Sequence, residues 1–372
     1  MMIYSLLKAM VQQDASDLYL TTDAHATLKI HGKHRAISKE TLKPGFIRKL
    51  AYELLSKEEQ AEFEKQRELD KGITLDDYGR FRLNFYFQRG EVSVVARYIR
   101  SKVQSPEELK LPPVLKYLVM KKEGLMLFVG STGSGKSTSM ASLIEYRNQI
   151  SDDHILTVED PIEFTFSHAK SIIGQREVGT DTLSYANAMK QAMREAPDMI
   201  MVGEIRDTET MESALGFADT GHMVISTLHA TNVIQALERI VYLFPKEQKH
   251  RVLMDLSLNL KGIVAQRLIK SKSGQYLLAA EVLVNSPYAA EVIRSGQFQD
   301  LKQVIEKGAS DGMVTFDQCL YRHYKEGLIS KEEALENAGS NNNLQWEMSF
   351  GDDDNKKGQG SAEVHSSLPE LN

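Results

Sequence analysis

Residues 130–138 read GSTGSGKST and follow directly on the apolar run Leu125-Met126-Leu127-Phe128-Val129. An apolar strand, a glycine-rich turn and a Lys-Ser pair in that order constrain the local fold more than any other stretch of the chain. Gly130, Gly133 and Gly135 let the backbone curl so that successive N–H groups point at phosphate oxygens. In such a loop the lysine, here Lys136, reaches the β- and γ-phosphates, and the hydroxyl of Ser137 is the Mg²⁺ ligand. The following KSTSMASLIEYRN can run as a helix, whose amino terminus favours an anion. Ser131, Thr132, Ser134 and Thr138 complete the candidate nucleotide-binding segment. A glycine-rich turn with an incidental lysine would lack the strand before it and the helix after it.

Around this loop the sequence divides into recognisable stretches. Residues 1–102 read as a small α+β domain. A surface helix is expected where Ile3, Leu6, Leu7 and Met10 recur at helical spacing, and strands at 18–20 and 27–30. Residues 44–69 read as helical. Residues 80–87 and 91–100 alternate, and Gln88-Arg89-Gly90 between them predicts a hairpin. One face of that hairpin is aromatic, and the other carries Arg80 and Arg82. A linker at 103–116 holds Pro106, Pro112 and Pro113. From 117 to the MVISTLH segment strand and helix signals alternate, which predicts a parallel sheet covered by helices. Residues 245–340 read mostly as helices, with a possible strand pair near 275–285; the ATPase core is bounded at 117–270 and a carboxyl-terminal helical region at 271–340. Residues 341–372 shift to Asn, Gly, Ser, Asp and Lys and are expected to be disordered.

Composition removes several classes. The 372 residues carry 45 basic and 51 acidic side chains, a net charge of −6. That balance gives no footprint for nucleic acid. The single cysteine, Cys319, allows no intramolecular disulfide and no cysteine-rich zinc module. No apolar run approaches the roughly 18 residues of a membrane span. MMIYSLLKAMVQQDASD has no basic leader and no small-residue cleavage site, so a cytoplasmic protein is expected.

Candidate catalytic residues lie in the segments after the loop. In ILTVEDPIEF a strand ends near Glu159, and the carboxyl ends of strands face the ligand crevice in open α/β sheets. Glu159 and Glu163 are therefore candidates to orient or activate an attacking water, although Asp160-Pro161 also reads as a helix cap. MIMVGE has the form of a Walker B strand with Gly203 where an aspartate is common. Its one carboxylate, Glu204, can hold Mg²⁺ through water. His222 and His229 bracket the apolar MVISTL, where they can sense the γ-phosphate or bridge to a neighbour, or serve as structural residues. Arg176, Arg194, Arg206 and Arg239 are candidates for the positive charge that phosphoryl transfer requires, often supplied between subunits.

Taken together, GSTGSGKST, ILTVEDPIEF, GQREVGTDT, AMREAPDMIMVGEIRD, TGHMVISTLHATN and RIVYLFP resemble the type IV pilus retraction ATPases, the PilT/PilU family of the secretion-ATPase superfamily. The resemblance runs in order over about residues 1–335, and ASDLYL and GRFRLNFYFQRGEVSVVARYI resemble the family's amino-terminal domain. It implies a PAS-like α+β domain followed by a RecA-like P-loop ATPase domain with a helical carboxyl-terminal region. It implies ATP and Mg²⁺, a homohexameric ring, an inner-membrane platform protein of the PilC type as partner, and peripheral docking at the pilus machine. By resemblance Glu163 is the general base, with Glu159 the competing choice, and Glu204 is the Walker B acid. His222 and His229 belong to a histidine box, and Arg82 and Arg97 match arginines that approach the nucleotide.

One stretch departs from the family pattern. Main retraction motors carry an AIRNLIRE-like segment, and the matching NSPYAAEVIRSG at 285–296 has Ala290 at an arginine position. Together with the polar tail, this resembles the accessory, PilU-like branch, which acts beside a PilT-type motor. Three other roles remain open: an ATP-binding regulatory subunit, an assembly or secretion ATPase, and a nucleic-acid translocase. The single cysteine argues against the assembly class, whose members carry a four-cysteine zinc module. The acidic balance argues against the translocase.

Overall fold

The computed structural model describes residues 2–30, 32–76, 78–99 and 102–354. The chain divides into two compact units, one of residues 1–103 with 161–167 and one of residues 104–160 with 168–372.

The first unit opens with helix α1 (Met2–Gln12), whose Ile3, Leu7 and Met10 recur on one face and are buried. Strands β1 (Ala15–Leu20) and β2 (Thr27–Ile30) match expectation, and β3 (Lys33–Ala36) is an exposed, basic strand that no apolar alternation announces. The helical stretch expected over 44–69 is two helices, α2 (Phe46–Tyr52) and α3 (Lys57–Gln66). The break has a local cause. The Ser56 hydroxyl accepts from Glu59 N, and the Glu59 carboxylate accepts from Ser56 N at 2.7 Å, a capping box that starts a new helix. The end of the expected helix is already strand β4 (Glu68–Leu75), whose ELDKGITL has too few apolar residues to signal a strand.

Strands β5 (Gly79–Gln88) and β6 (Glu91–Ile99) form the expected hairpin. Its two turn residues, Arg89 (φ 53°) and Gly90 (φ 82°), are both left-handed, which matches the twist of the flanking strands. The sheet order is β3-β2-β1-β6-β5-β4, antiparallel throughout. Leu18, Leu20, Leu28, Phe81, Leu83, Phe85, Val94 and Ala96 are buried in one core with residues of α1, α2 and α3. On the opposite face the register sets Arg97 between Asp17 and Arg82.

The second unit starts with α4 (Val114–Val119) and β7 (Gly124–Val129), followed by α5 (Lys136–Ile150) and β8 (His154–Glu159). Then come β9 (Ile172–Glu177), α6 (Tyr185–Ala192), β10 (Met199–Val202), α7 (Thr208–Asp219) and β11 (Met223–Leu228). Helices α8 (Val233–Leu243) and α9 (Lys249–Asn259) lead to a second hairpin, β12 (Leu260–Lys270) and β13 (Tyr276–Val284). The order is β13-β12-β7-β11-β10-β8-β9, and every pairing from β12 to β9 is parallel. Strands β7, β10 and β11 are buried along their whole length, which is why β7 and β10 read as apolar runs; in β11 the Ser226 and Thr227 hydroxyls donate to the Val202 and Gly203 carbonyls.

Two strands here differ from the sequence reading. β9 reads IIGQRE and is masked by its polar half. β12 lies within a stretch read as mostly helical. It is a strand because Ile263, Val264 and Ala265 pair with β7 on one side and β13 on the other. The sheet continues to Val284, and β13 falls where the strand pair near 275–285 is expected, although its partner β12 lies before that stretch.

The remaining helices are α10 (Pro287–Ser295), α11 (Leu301–Lys307), α12 (Phe316–Lys325), α13 (Lys331–Glu336) and α14 (Asn341–Asp354). The last stands where disorder is expected from 341; residues 355–372 lie outside the described residues. Its anchor is Asp317 on α12, whose carboxylate accepts from Gly339 N at 2.6 Å and Ser340 N at 3.2 Å. Leu344 is fully buried in the main core, with Met348 packed against it. Leu344→Ala should cost about 2–4 kcal/mol of packing and cavity energy. It should lower the thermal midpoint and speed amide exchange along α14; a tail without packing would show neither effect.

Candidate functional site

The parallel sheet brings four chain reversals to one edge. Val129 lies opposite Leu228 and Ala265, and Val202 lies beside Val158 and Ser226. The residues that leave these strands, Gly130, Asp160, Gly203 and His229, are therefore neighbours at the carboxyl edge of the sheet.

Gly130 begins the phosphate loop at φ 156°, and Gly133 and Gly135 have φ of 79° and 90°. At Gly130 the demand for glycine is also one of space. A Cβ there would lie 2.4 Å from Ser134 Oγ and 2.6 Å from the backbone oxygen of Gln266. The loop is thus seated against β12, and Gln266 Nε2 donates to Ser139 Oγ at 2.7 Å, tying β12 to α5. The Lys136 ammonium donates to the Gly130 and Ser131 carbonyls, both at 2.9 Å, which fixes it over the loop. Ser137 and Thr138 follow in the first turn of α5, with Gly135 as its left-handed cap. Ser134 Oγ is buried without a hydrogen-bond partner. These features fit a phosphate chain: a glycine-rich turn at the amino terminus of a helix, a held cation, and no side chain at the closest approach.

A second cluster stands on the same edge. Glu204 Oε2 accepts from Arg206 Nε at 2.7 Å, and Glu204 Oε1 lies 3.0 Å from His229 Nε2. Arg206 Nη1 also approaches Asp160 at 3.8 Å. Tyr185, from α6, lies within this group. Burial pushes its hydroxyl pKa far up, and the nearby Asp160 carboxylate adds to the effect, so the phenol stays protonated. Tyr185 also explains Gly203, because a Cβ at 203 would lie 2.9 Å from its hydroxyl and 3.3 Å from the Val158 oxygen. An aspartate at that position would require the tyrosine to shift. Glu159, at the end of β8, is buried, and its Oε1 accepts from Thr157 Oγ1 at 2.8 Å and Gln175 Nε2 at 3.3 Å.

The other sequence candidates lie elsewhere. His222 precedes β11 at the opposite edge, where its carbonyl accepts from Gly124 N. Its ring packs on Phe217 and its Nδ1 lies 3.1 Å from Thr220 Oγ1, a structural setting. With a rise of about 3.3 Å per residue, it is roughly 20 Å from His229. Arg194 is exposed beyond the carboxyl end of α6 and reaches Gln191 at 3.4 Å. Arg176 pairs with Glu195, and Arg239 is exposed on α8. In the first unit, Arg82 pairs with Asp70 and Arg97 with Asp17, both at 2.8 Å. Glu163 is exposed, on the segment 161–167 that groups with that unit. Gln266 and Tyr185 escaped sequence reading because neither belongs to a motif. The one available signal was the glycine at 203 in place of an acid, which implies a bulky neighbour.

The type II/IV secretion system protein family model matches residues 1–306. The chain is 44% identical over 347 residues to the type IV pilus ATPase PilU of Pseudomonas aeruginosa, which covers 93% of this chain and 91% of that one. It is 38% identical over 336 residues to the type IV pilus retraction ATPase PilT of the same organism, covering 90% and 98%. A crystal structure of the pilus retraction motor PilT with bound ADP superposes with a TM-score of 0.86 at 39% identity, covering 92% of this chain and 98% of that one.

The contact at Gly203 can be tested alone. Gly203→Ala should destabilise the protein by about 1–3 kcal/mol through overpacking. Adding Tyr185→Phe, which removes the contacted oxygen, should return most of that loss. A double-mutant cycle of unfolding midpoints reads the coupling; additive effects would show that the two residues do not meet.

Proposed function

The chain belongs to the type II/IV secretion system protein family, and from that membership we propose that it is a PilU-like ATP-hydrolysing motor that powers or assists type IV pilus retraction and twitching motility. The observation that carries the reading is the phosphate loop itself. It stands at the carboxyl edge of a parallel sheet, with its lysine held in place by two loop carbonyls, in a chain similar over nine-tenths of its length to an ADP-bound retraction motor.

In this reading Lys136 and the amides of 130–135 bind the phosphates of ATP, and Ser137 holds Mg²⁺. Glu204 would be the second residue to hold that ion, which when bound would supply positive charge to offset the phosphates. Glu163 is the general base. Its exposure supports that choice over Glu159, whose carboxylate is buried and already accepts two side-chain hydrogen bonds. His229 and Arg206 hold the two oxygens of Glu204 and so fix where that acid points. Arg82, Arg97 and Arg194 are candidates to bring positive charge to the nucleotide from a neighbouring domain or subunit. His222, at the far edge of its strand, is assigned a structural part.

The proposed organisation is a PAS-like domain over 1–102, a linker to 116, a RecA-like core to 270 and a carboxyl-terminal region after it. Six copies form the working ring, which docks on a platform protein at the inner membrane and acts with a PilT-type motor. Among the described residues no helix is long and apolar enough to cross a membrane. The accessory role draws on α10, where Ala290 replaces the motif arginine and only Arg294 is left, exposed near the helix end.

Purified Lys136→Ala should lose ATPase activity by about 100-fold or more, the scale of removing a preorganised charge from a transferring phosphoryl group. Unchanged activity would overturn the site. In cells, a deletion that leaves excess surface pili without twitching supports retraction, whereas loss of pili would assign the chain to assembly. Complementation of that deletion by Glu204→Ala would favour a non-hydrolytic, regulatory role.

A further inference from the structure

His229 stands in the turn 229–232, between the end of β11 and the first residue of α8. Before the turn the chain is tied to the segment that carries Glu204. Thr227 Oγ1 donates to the Gly203 carbonyl at 2.8 Å, and the Thr227 carbonyl accepts from Ile205 N at 2.9 Å. At its other end the turn is tied to its own helix. Asn232 Oδ1 accepts from Gln235 N at 2.8 Å, and Gln235 Oε1 accepts from Thr231 N at 3.2 Å and Thr231 Oγ1 at 2.6 Å. Those bonds shape the turn, but they move wherever α8 moves.

A tie that anchors α8 itself comes from β13. Glu281 Oε1 accepts from Val233 N at 2.9 Å, across 48 positions of the chain. Val233 is the first residue of α8 and is fully buried, so its N–H is one of the helix's unpaired donors and lies away from solvent. A carboxylate at that place meets both the donor and the positive end of the helix. Burial raises the Glu281 carboxyl pKa, against the pull of the Val233 N–H and the nearby Arg267 guanidinium, and either protonation state keeps an oxygen that can accept. Glu281 pairs with Ala265, the neighbour of Gln266, which seats the phosphate loop. One hairpin therefore braces the loop through Gln266 and the His229 turn through Glu281.

We infer that Glu281 is a positioning residue of the candidate site: it fixes the start of α8 so that His229 stays against Glu204. This rests on the reading of Glu204 as the acid of an ATP-hydrolysing site and adds to it the group that sets its histidine partner. Without the tie, α8 and the turn before it can shift, and the 3.0 Å contact between His229 Nε2 and Glu204 Oε1 loosens. Glu204 then keeps Arg206 on one oxygen and loses its restraint on the other. The phosphate loop is untouched by that shift, so the expected loss falls on turnover and not on nucleotide binding.

Steady-state ATP hydrolysis and ADP binding by the full chain test this. Glu281→Met, of similar volume but without the acceptor, should lower kcat about tenfold, the scale of losing the partner that orients a metal-holding group, with KM and ADP affinity unchanged. Glu281→Gln, which keeps an acceptor oxygen, should restore most of that loss. Val233→Pro removes the donor instead, at a first helical position where proline is at home and after an extended residue, Asn232 (φ −155°, ψ 175°). It should lower kcat by a similar factor. In a His229→Gln background neither change should lower kcat further, because the effect passes through that histidine. Natural kcat in both Glu281→Met and Val233→Pro, or the same tenfold loss repeated in the His229→Gln background, would overturn this inference and leave the assignment of Glu204 standing. A parallel loss of ADP binding would also overturn it, since the change would then act through the loop. Absence of ATP hydrolysis by the natural protein would overturn both readings.

Discussion

Everything at the candidate site depends on the close approach of β12 to the first glycine of the loop. The Gln266 carbonyl stands where a side chain at position 130 would need to be. That contact holds the turn tight after β7 and sets the direction in which α5 leaves the sheet. The Gln266 amide then reaches Ser139 on α5, so one residue of β12 braces both the start of the loop and the helix that follows it. The held position of Lys136 is a consequence. Its ammonium meets the Gly130 and Ser131 carbonyls because the turn brings both toward the first turn of the helix.

The acidic cluster obeys a related constraint. Parallel strands deliver their carboxyl ends together, so Asp160, Glu204 and His229 meet although as many as 69 residues of chain separate them. Like charges gathered at one edge need compensation. Arg206 and His229 supply it at Glu204, while the half-buried phenol of Tyr185 remains neutral among the carboxylates. The same tyrosine fills the space an aspartate at 203 would occupy. The reduced acid pair of this strand is therefore coupled to a residue on a separate helix.

Legibility followed how far each residue's role was encoded by its immediate neighbours. The loop at 130–138, the strands around it and the 88–90 turn were readable because glycine conformation, apolar runs and alternation are local signals. β3, β4 and β9 were not, because they are polar or at sheet edges and bury too little to show alternation. β12 read as part of a helical stretch because its apolar core is short, and only pairing on both sides makes it a strand. α14 looked like tail, since its buried anchor is chiefly Leu344 and its amino-terminal brace comes from Asp317. Of the two histidines flanking β11, sequence could not say which counted. A six-residue strand sends its ends to opposite edges of the sheet, and only His229 stands at the carboxyl edge, where it meets Glu204.

The sequence alone determined a glycine-rich turn between an apolar strand and a helix that begins Lys136-Ser137, and a parallel sheet that supports it. Those properties reside in contiguous residues whose backbone preferences act over a turn or a strand. Tertiary structure decided which distant groups stand beside that loop. Glu204 between Arg206 and His229, Tyr185 against Gly203, and Gln266 against Gly130 all arise from strand order and register. Those are fixed by burying apolar strands against one another, and no short motif records them.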